Sequence, residues 1–440
     1  VKPQVPSQVE PFDLKTLKSA LLVGAYRATS DKQMCQDSLA ELERLCETYG
    51  LAALAKVACP VKKIEAGCYL GEGKLEELRK MAEELKADLI LFDDEISPHQ
   101  QRNLEKLFLR PVIDRTELII EVFARRAQTR EARLQIELAK VKYQFPRLRR
   151  MWTHLSRQTA TSGGSGGGPT RGEGEQQIEI DRRLLRRRIE RLQSELEQIE
   201  QLRKTQRSQR LRSSIPTFAI VGYTNAGKST LLNTLTQAGV LAEDKLFATL
   251  DTITRKFTLP NHQEVLLIDT VGFIRKIPHT LVAAFKSTLE ETVHTDILLH
   301  LIDVSHPQAE EQAESTLQVL KELGAEEHPI ITVLNKIDAC DNPTLLMKFR
   351  IKYPKTVAIS ARDGTGLDEL MQSMIQEISS LRKVVSCRIP QSHYGLVSEL
   401  MREGKVISCT YEENDILIKL EIPARLDYKV QPFLVDLYPE

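Results

Sequence analysis

The stretch "TFAIVGYTNAGKSTLLNTLTQA", residues 217–238, constrains this chain more than any other. An apolar strand pattern runs into G-x-x-x-x-G-K-S at Gly222, Gly227, Lys228 and Ser229, and a helical pattern follows. That order of strand, glycine loop and helix is the context in which the motif cradles phosphate. Glycines let backbone N–H groups curl round a β-phosphate, and the helix N-terminus adds its positive end. Lys228 neutralises β and γ oxygens, and the Ser229 hydroxyl ligates Mg2+. The loop residues Gly222, Tyr223, Thr224, Asn225, Ala226, Gly227, Lys228, Ser229 and Thr230 are expected to line a nucleotide. Residues 215–382 repeat strand, loop and helix, which predicts a doubly wound α/β domain behind the loop.

Four further motifs decide which nucleotide. "EVLLID", a buried-strand pattern, leads into Asp269, Thr270, Val271 and Gly272. Asp269 is placed to hold Mg2+ through water, and the Gly272 N–H to feel a γ-phosphate. "FATLD" offers Phe247, Ala248, Thr249, Leu250 and Asp251, with Thr249 the hydroxyl expected to complete the metal shell and Thr252 and Thr254 close rivals by position. The expected metal set is therefore Ser229, Thr249 and Asp269, and Lys228, Thr249 and Gly272 form the catalytic set. "NKID" supplies Asn335, Lys336, Ile337 and Asp338 after the strand "PIITVL". Asp338 can accept from guanine N1–H and the 2-amino group together. Adenine has neither donor and would strand a carboxylate. Asn335 is expected to brace the phosphate loop, and the Lys336 stem to cover the base. "ISAR" brings Ser360, Ala361 and Arg362, whose backbone can reach guanine O6. Five motifs in order on the right elements identify a GTPase.

After Gly272 stands Phe273, where many such switches carry a water-orienting glutamine. Its side chain cannot handle water. Intrinsic hydrolysis is then expected to be slow and conditional on a partner, or on a monovalent cation such as K+ held by Asn225. Phe273 as a plain packing residue is the competing reading, as is an Asn225 that only bonds the loop backbone.

The remainder of the chain divides by pattern. Residues 1–116 alternate apolar runs and helical stretches, an N-terminal α/β domain without a phosphate loop. Ser97 and Pro98 mark a helix start. In 117–212 the apolar residues Leu134, Leu138, Val141, Phe145, Leu148 and Trp152, then Leu185, Ile189, Leu192, Leu196 and Ile199, step alternately by three and four. Those are two a/d seams, so a long antiparallel helical hairpin is expected around the loop "TSGGSGGGPTRGEGE". The nucleotide domain is placed at 213–382 and a small α+β domain at 383–440.

Formal charge is zero over the 440 residues, yet it is unevenly spread. Residues 121–157 hold ten Lys/Arg against three Asp/Glu, and 181–212 hold eleven against five. A basic hairpin is a footprint for nucleic acid. The seven cysteines show no C-x-x-C pair, which argues for free thiols. His279, His294, His300 and His306 are scattered and read as structural. No stretch approaches the ~18 uninterrupted apolar residues of a membrane span, so a cytoplasmic, unanchored protein is expected.

With "GYTNAGKST", "LFATLD", "DTVGFI", "NKID" and the glycine segment "GGSGGGPTRGEGEQQIEIDRR" together, the chain resembles the HflX family of ribosome-associated GTPases over nearly its whole length. It departs in having Thr252-Ile253 after the "FATLD" aspartate. The resemblance implies binding of GTP and GDP with Mg2+, and association with the 50S subunit and the 70S ribosome. It also implies ribosome-stimulated hydrolysis and the splitting or rescue of stalled or idle ribosomes under stress. Family members are also reported to bind ATP, although Asp338 favours guanine here. A monomer contacting rRNA through the basic hairpin is expected. The alternatives are a GTPase of RNA maturation or ribosome assembly without splitting, and an adaptor stabilised by its nucleotide.

Overall fold

A computed structural model describes residues 14–147, 171–212, 215–236, 246–247, 252–276, 293–326, 328–340, 342–412, 414–423 and 426–435. The described residues fall into two compact units. The first holds the described parts of 14–198 and includes Leu246, Phe247 and Phe273–Lys276. The second holds the described parts of 199–242, 252–272 and 288–440.

The first unit is built on β1 (Ser19–Tyr26), β2 (Ala52–Pro60), β3 (Leu89–Phe92) and β4 (Val112–Asp114), all parallel in the order β2-β1-β3-β4. "LILF" of β3 is buried at every position, as a central parallel strand flanked on both faces must be. The stretch "LAALAKVA" lies in strand β2. Helices α1 (Lys32–Tyr49), α2 (Glu72–Glu84), α3 (Pro98–Phe108) and α4 (Arg115–Arg126) complete the unit. Ser97 starts α3 as expected. Its Oγ accepts from Gln100 N at 3.3 Å, while Gln100 Oε1 accepts from Ser97 N at 2.9 Å. Asp114 likewise caps α4 through Glu117 N at 2.9 Å.

The helical seam is present. On α5 (Arg130–Gln144) and α6 (Arg171–Arg212), Leu138 and Val141 bury against Leu192, with Leu134, Leu185, Ile189 and Leu196 around them. Arg130 pairs with Glu195, and Arg188 with Glu137. Residue numbers rise on one helix as they fall on the other, so the two run antiparallel. Two details differ from the sequence expectation. The α5 helix ends before Pro146 in a short 3-10 turn, because proline cannot donate to the ladder. In addition, α6 already includes Arg171–Glu175, which the glycine content suggested as loop. Leu148, Trp152 and the loop through Thr170 lie outside the described residues.

The second unit carries a six-stranded sheet in the order β10-β9-β8-β5-β7-β6. Its strands are β5 (Thr217–Gly222), β6 (Ile253–Thr258), β7 (Glu264–Asp269), β8 (Ile297–Asp303), β9 (Ile330–Asn335) and β10 (Thr356–Ala358). All pair in parallel except the edge strand β6, which returns antiparallel to β7 through the turn at Asn261–Gln263. Helices α7 (Lys228–Thr236), α8 (Ala309–Glu322), α9 (Pro343–Lys352) and α10 (Leu367–Ser380) accompany them. One core unites Phe218, Ile220, Leu231, Leu267, Leu299, Val333 and Met374. The helix expected at 280–294 lies almost wholly outside the described residues. A separate three-stranded antiparallel sheet, β11 (Arg382–Pro390), β13 (Asp415–Pro423) and β12 (Lys405–Glu412), packs on the helix Tyr394–Glu403 around Ile389, Val397, Leu400 and Ile418.

Candidate nucleotide site

Reversal of strand order at β5 places its C-terminal end in the crevice where open α/β sheets bind ligands. The glycine loop leaves β5 there and α7 begins at Lys228. Lys228 is buried, and its Nζ donates to the carbonyls of Tyr223 at 2.8 Å and Gly222 at 3.2 Å. Burial pushes its pKa down to about 8, with the nearby Asp269 carboxylate pulling the other way. A charge kept this dry interacts strongly with an arriving phosphate.

Ser229 Oγ donates to Asp269 Oδ2 at 2.7 Å. The pair joins the start of α7 to the end of β7. Thr270 Oγ1 donates to Ile220 O at 2.7 Å and ties the same corner to β5. Gly272 approaches so closely that a Cβ there would lie 2.9 Å from both Lys228 Nζ and Thr224 Cα. Only glycine lets this backbone come to the loop. The buried Thr224 hydroxyl has no partner among the described residues, a donor that a bound oxyanion would satisfy.

Asn335 is the hub. Its Nδ2 donates to Ala226 O at 2.8 Å, and its Oδ1 accepts from Ala361 N at 2.9 Å. It thus braces the phosphate loop and the segment Ser360–Ala361 with one amide. Gly227 has φ +96, and a Cβ on it would sit 2.3 Å from Asn335 Nδ2. Asp338 is exposed on the short turn Ile337–Ala339, and Arg362 is exposed beyond the buried Ser360 and Ala361. Asn225 and Lys336 take positive φ values of 61° and 66°. Ala248, Thr249, Leu250 and Asp251 lie outside the described residues. Phe247 belongs to the first unit, where its ring packs edge-on to Phe123 with centroids 4.4 Å apart.

Comparison with known proteins then bears on the whole chain. Residues 36–124 match the family model described as GTP-binding GTPase N-terminal, and 126–210 the GTP-binding GTPase middle region. Residues 217–336 match the model of a 50S ribosome-binding GTPase. A "GTPase HflX" of Chlamydia pneumoniae is 46% identical over 422 residues, covering 96% of this chain and 89% of the relative. The chain belongs to the HflX GTPase family. It is a P-loop GTP hydrolase. The HflX of Escherichia coli K12 is 40% identical, covering 95% of this chain and 97% of its own length. Among solved structures, a GTP-binding protein from Sulfolobus solfataricus in complex with GDP is 27% identical, with a TM-score of 0.43 over 83% of this chain and all of the other.

Within this HflX chain, two residues escape the motif reading. Asp303, the last residue of β8, pairs with Lys336 at 2.7 Å. It lies in register with Asn335, so a strand ending in Asp beside the "NKID" strand was the available signal. His300 faces the core of the same sheet with 1% exposure. No helix among the described residues is long and apolar enough to cross a membrane.

Proposed function

We propose that this HflX GTPase binds the 50S subunit and the 70S ribosome, hydrolyses GTP faster there, and splits or rescues stalled or idle ribosomes under stress. The supporting observation is a row of arginines on α6. Arg183, Arg186, Arg187 and Arg191 stand exposed while Leu185, Ile189 and Leu192 fill the seam. Such a face makes phosphate contacts with rRNA whose strength falls steeply with salt. Work on the ribosome implies a cytoplasmic protein, acting as a monomer.

In the same reading the nucleotide is GTP or GDP, read by Asp338, with ATP the weaker ligand. Mg2+ fits the donors present. The Ser229 hydroxyl and Asp269 carboxylate are hard oxygens one hydrogen bond apart, and would hold a magnesium ion, Ser229 directly and Asp269 through water. Bound there, the metal would supply positive charge to offset that of the nucleotide phosphates. Lys228 holds a proton against those same oxygens, and the Gly272 N–H is aimed at the terminal phosphate. Thr249 completes the set, and Asn225 is the residue assigned to K+.

The test is sedimentation with purified 50S subunits, 70S ribosomes and precursor particles, using GTP, GDP or a non-hydrolysable analogue. The expected result is 50S binding favoured at least ~10-fold by the analogue, and lost on charge reversal at Arg183, Arg186 and Arg187. Binding confined to precursor particles would turn the reading to assembly. Binding indifferent to nucleotide would refute a GTP switch.

A further inference from the structure

The first unit contains a second polar centre, and it already holds a ligand from the chain itself. Strand order β2-β1-β3-β4 reverses between β1 and β3, and the crevice beyond their C-terminal ends is where such sheets bind ligands. Asp93 and Asp94 follow β3 directly into that crevice. Asp93 is 1% exposed and accepts from Arg115 at 2.7 Å and from Ser38 Oγ at 2.8 Å. Asp94 accepts from the Tyr69 hydroxyl. Into this pair comes the Lys276 ammonium, bonded to Asp93 and, at 2.6 Å, to Asp94.

Lys276 stands four residues beyond Gly272. Its φ is +54, a left-handed conformation uncommon for a residue with a Cβ. Phe273 and Ile274, just before it, are each 2% exposed. So the chain leaving Gly272 is fastened by two buried apolar side chains and then by a double ion pair. Burial alone would raise the Asp93 carboxyl, but Arg115 and Lys276 outweigh it and hold the group ionised. Burial would likewise lower Lys276, and Asp93 and Asp94 outweigh that. Arg115 divides its charge between Asp93 and Glu41, so Lys276 is the second cation of a centre that holds three carboxylates, of which Asp94 is 29% exposed. Because one partner is wholly buried, salt screens the contact less than an ordinary surface pair.

We propose that Asp93 and Asp94 are positioning residues for GTP hydrolysis, holding Lys276 so that the chain after Gly272 keeps a fixed path while the γ-phosphate is cleaved. This rests on the reading of Asp269–Gly272 as the phosphate-sensing segment.

The experiment compares single-turnover GTP hydrolysis and GDP affinity in the full chain for Lys276→Met, Lys276→Arg, Asp94→Asn and the double variant Lys276→Met/Asp94→Asn. Asp93 is left intact, since its removal would strand part of the buried Arg115 charge. Lys276→Met and Asp94→Asn should each slow hydrolysis roughly 5- to 20-fold with GDP affinity unchanged within about twofold. Lys276→Arg should retain most of the rate, and the double variant should be no slower than the slower single one. Parent-like hydrolysis in Lys276→Met, an equal fall in GDP affinity, or fully additive losses would each overturn the proposal. A parent chain that bound no GDP would instead overturn the nucleotide-site reading beneath it.

Discussion

Replacing His300 by leucine should make the nucleotide-binding sheet more stable and remove much of its sensitivity to acid. His300 lies on β8, in register with Val221 on one side and Thr332 on the other. Neither ring nitrogen has a partner among the described residues, and the Tyr353 ring stands edge-on at 6.4 Å. Burial drives the imidazole pKa from 6.5 down to about 4. The folded state therefore keeps His300 neutral while the unfolded chain takes up a proton first as pH falls. Stability is intact above the unfolded value of 6.5, and is lost as pH drops through the folded value of about 4. At ~1.36 kcal/mol per pH unit the loss reaches about 2 kcal/mol by roughly pH 5. His300→Leu abolishes that loss and relieves two desolvated nitrogens, a gain of about 1–2 kcal/mol at neutral pH. Chemical denaturation at about pH 5 and pH 7.5, followed through the transition that added GDP shifts, reads the sheet selectively. The same acid dependence in parent and variant would refute the argument, and so would a variant less stable at neutral pH.

Two other substitutions test the site. Phe273→Gln puts an amide where the side chain is 2% exposed, so a lower melting midpoint is expected, by about 2–4 kcal/mol of stability, with no partner-independent rise in turnover. A faster isolated enzyme would show instead that the ring merely displaces a water handler. Ser229→Ala removes the hydroxyl bonded to Asp269, and should cut the gain in GDP affinity that Mg2+ confers by roughly 10- to 100-fold, measured by fluorescent-nucleotide titration with and without a chelator.

Where the sequence was informative, it was so for a local physical reason. Gly227, Lys228 and Ser229 are legible because a phosphate loop demands those residue types at those spacings. The seam through Leu138, Leu185 and Leu192 is legible because helical periodicity is written directly into the chain. Asp93, Asp94 and Lys276 carry no such signature. They meet only because a parallel sheet delivers two carboxylates to the same crevice as a residue over 180 positions away in sequence, and a long-range ion pair has no period or motif. The same holds for Asp303, whose role depends on the register between β8 and β9, and for His300, whose unpaired state is a property of its neighbours. Phe273 lay between: its identity raised the question of water handling, while its burial belongs to packing.

The abutment of Gly227 on Asn335 has a consequence for how this protein can vary. The two residues belong to different motifs, yet their atoms share a single volume: a methyl group at 227 would occupy the place of the 335 amide. The two positions are therefore expected to accept changes jointly or not at all. In a library randomised at both and selected for nucleotide retention, survivors with a larger residue at 227 should carry a smaller one at 335. Independent assortment of the two would mean that the loop yields to the clash rather than the amide.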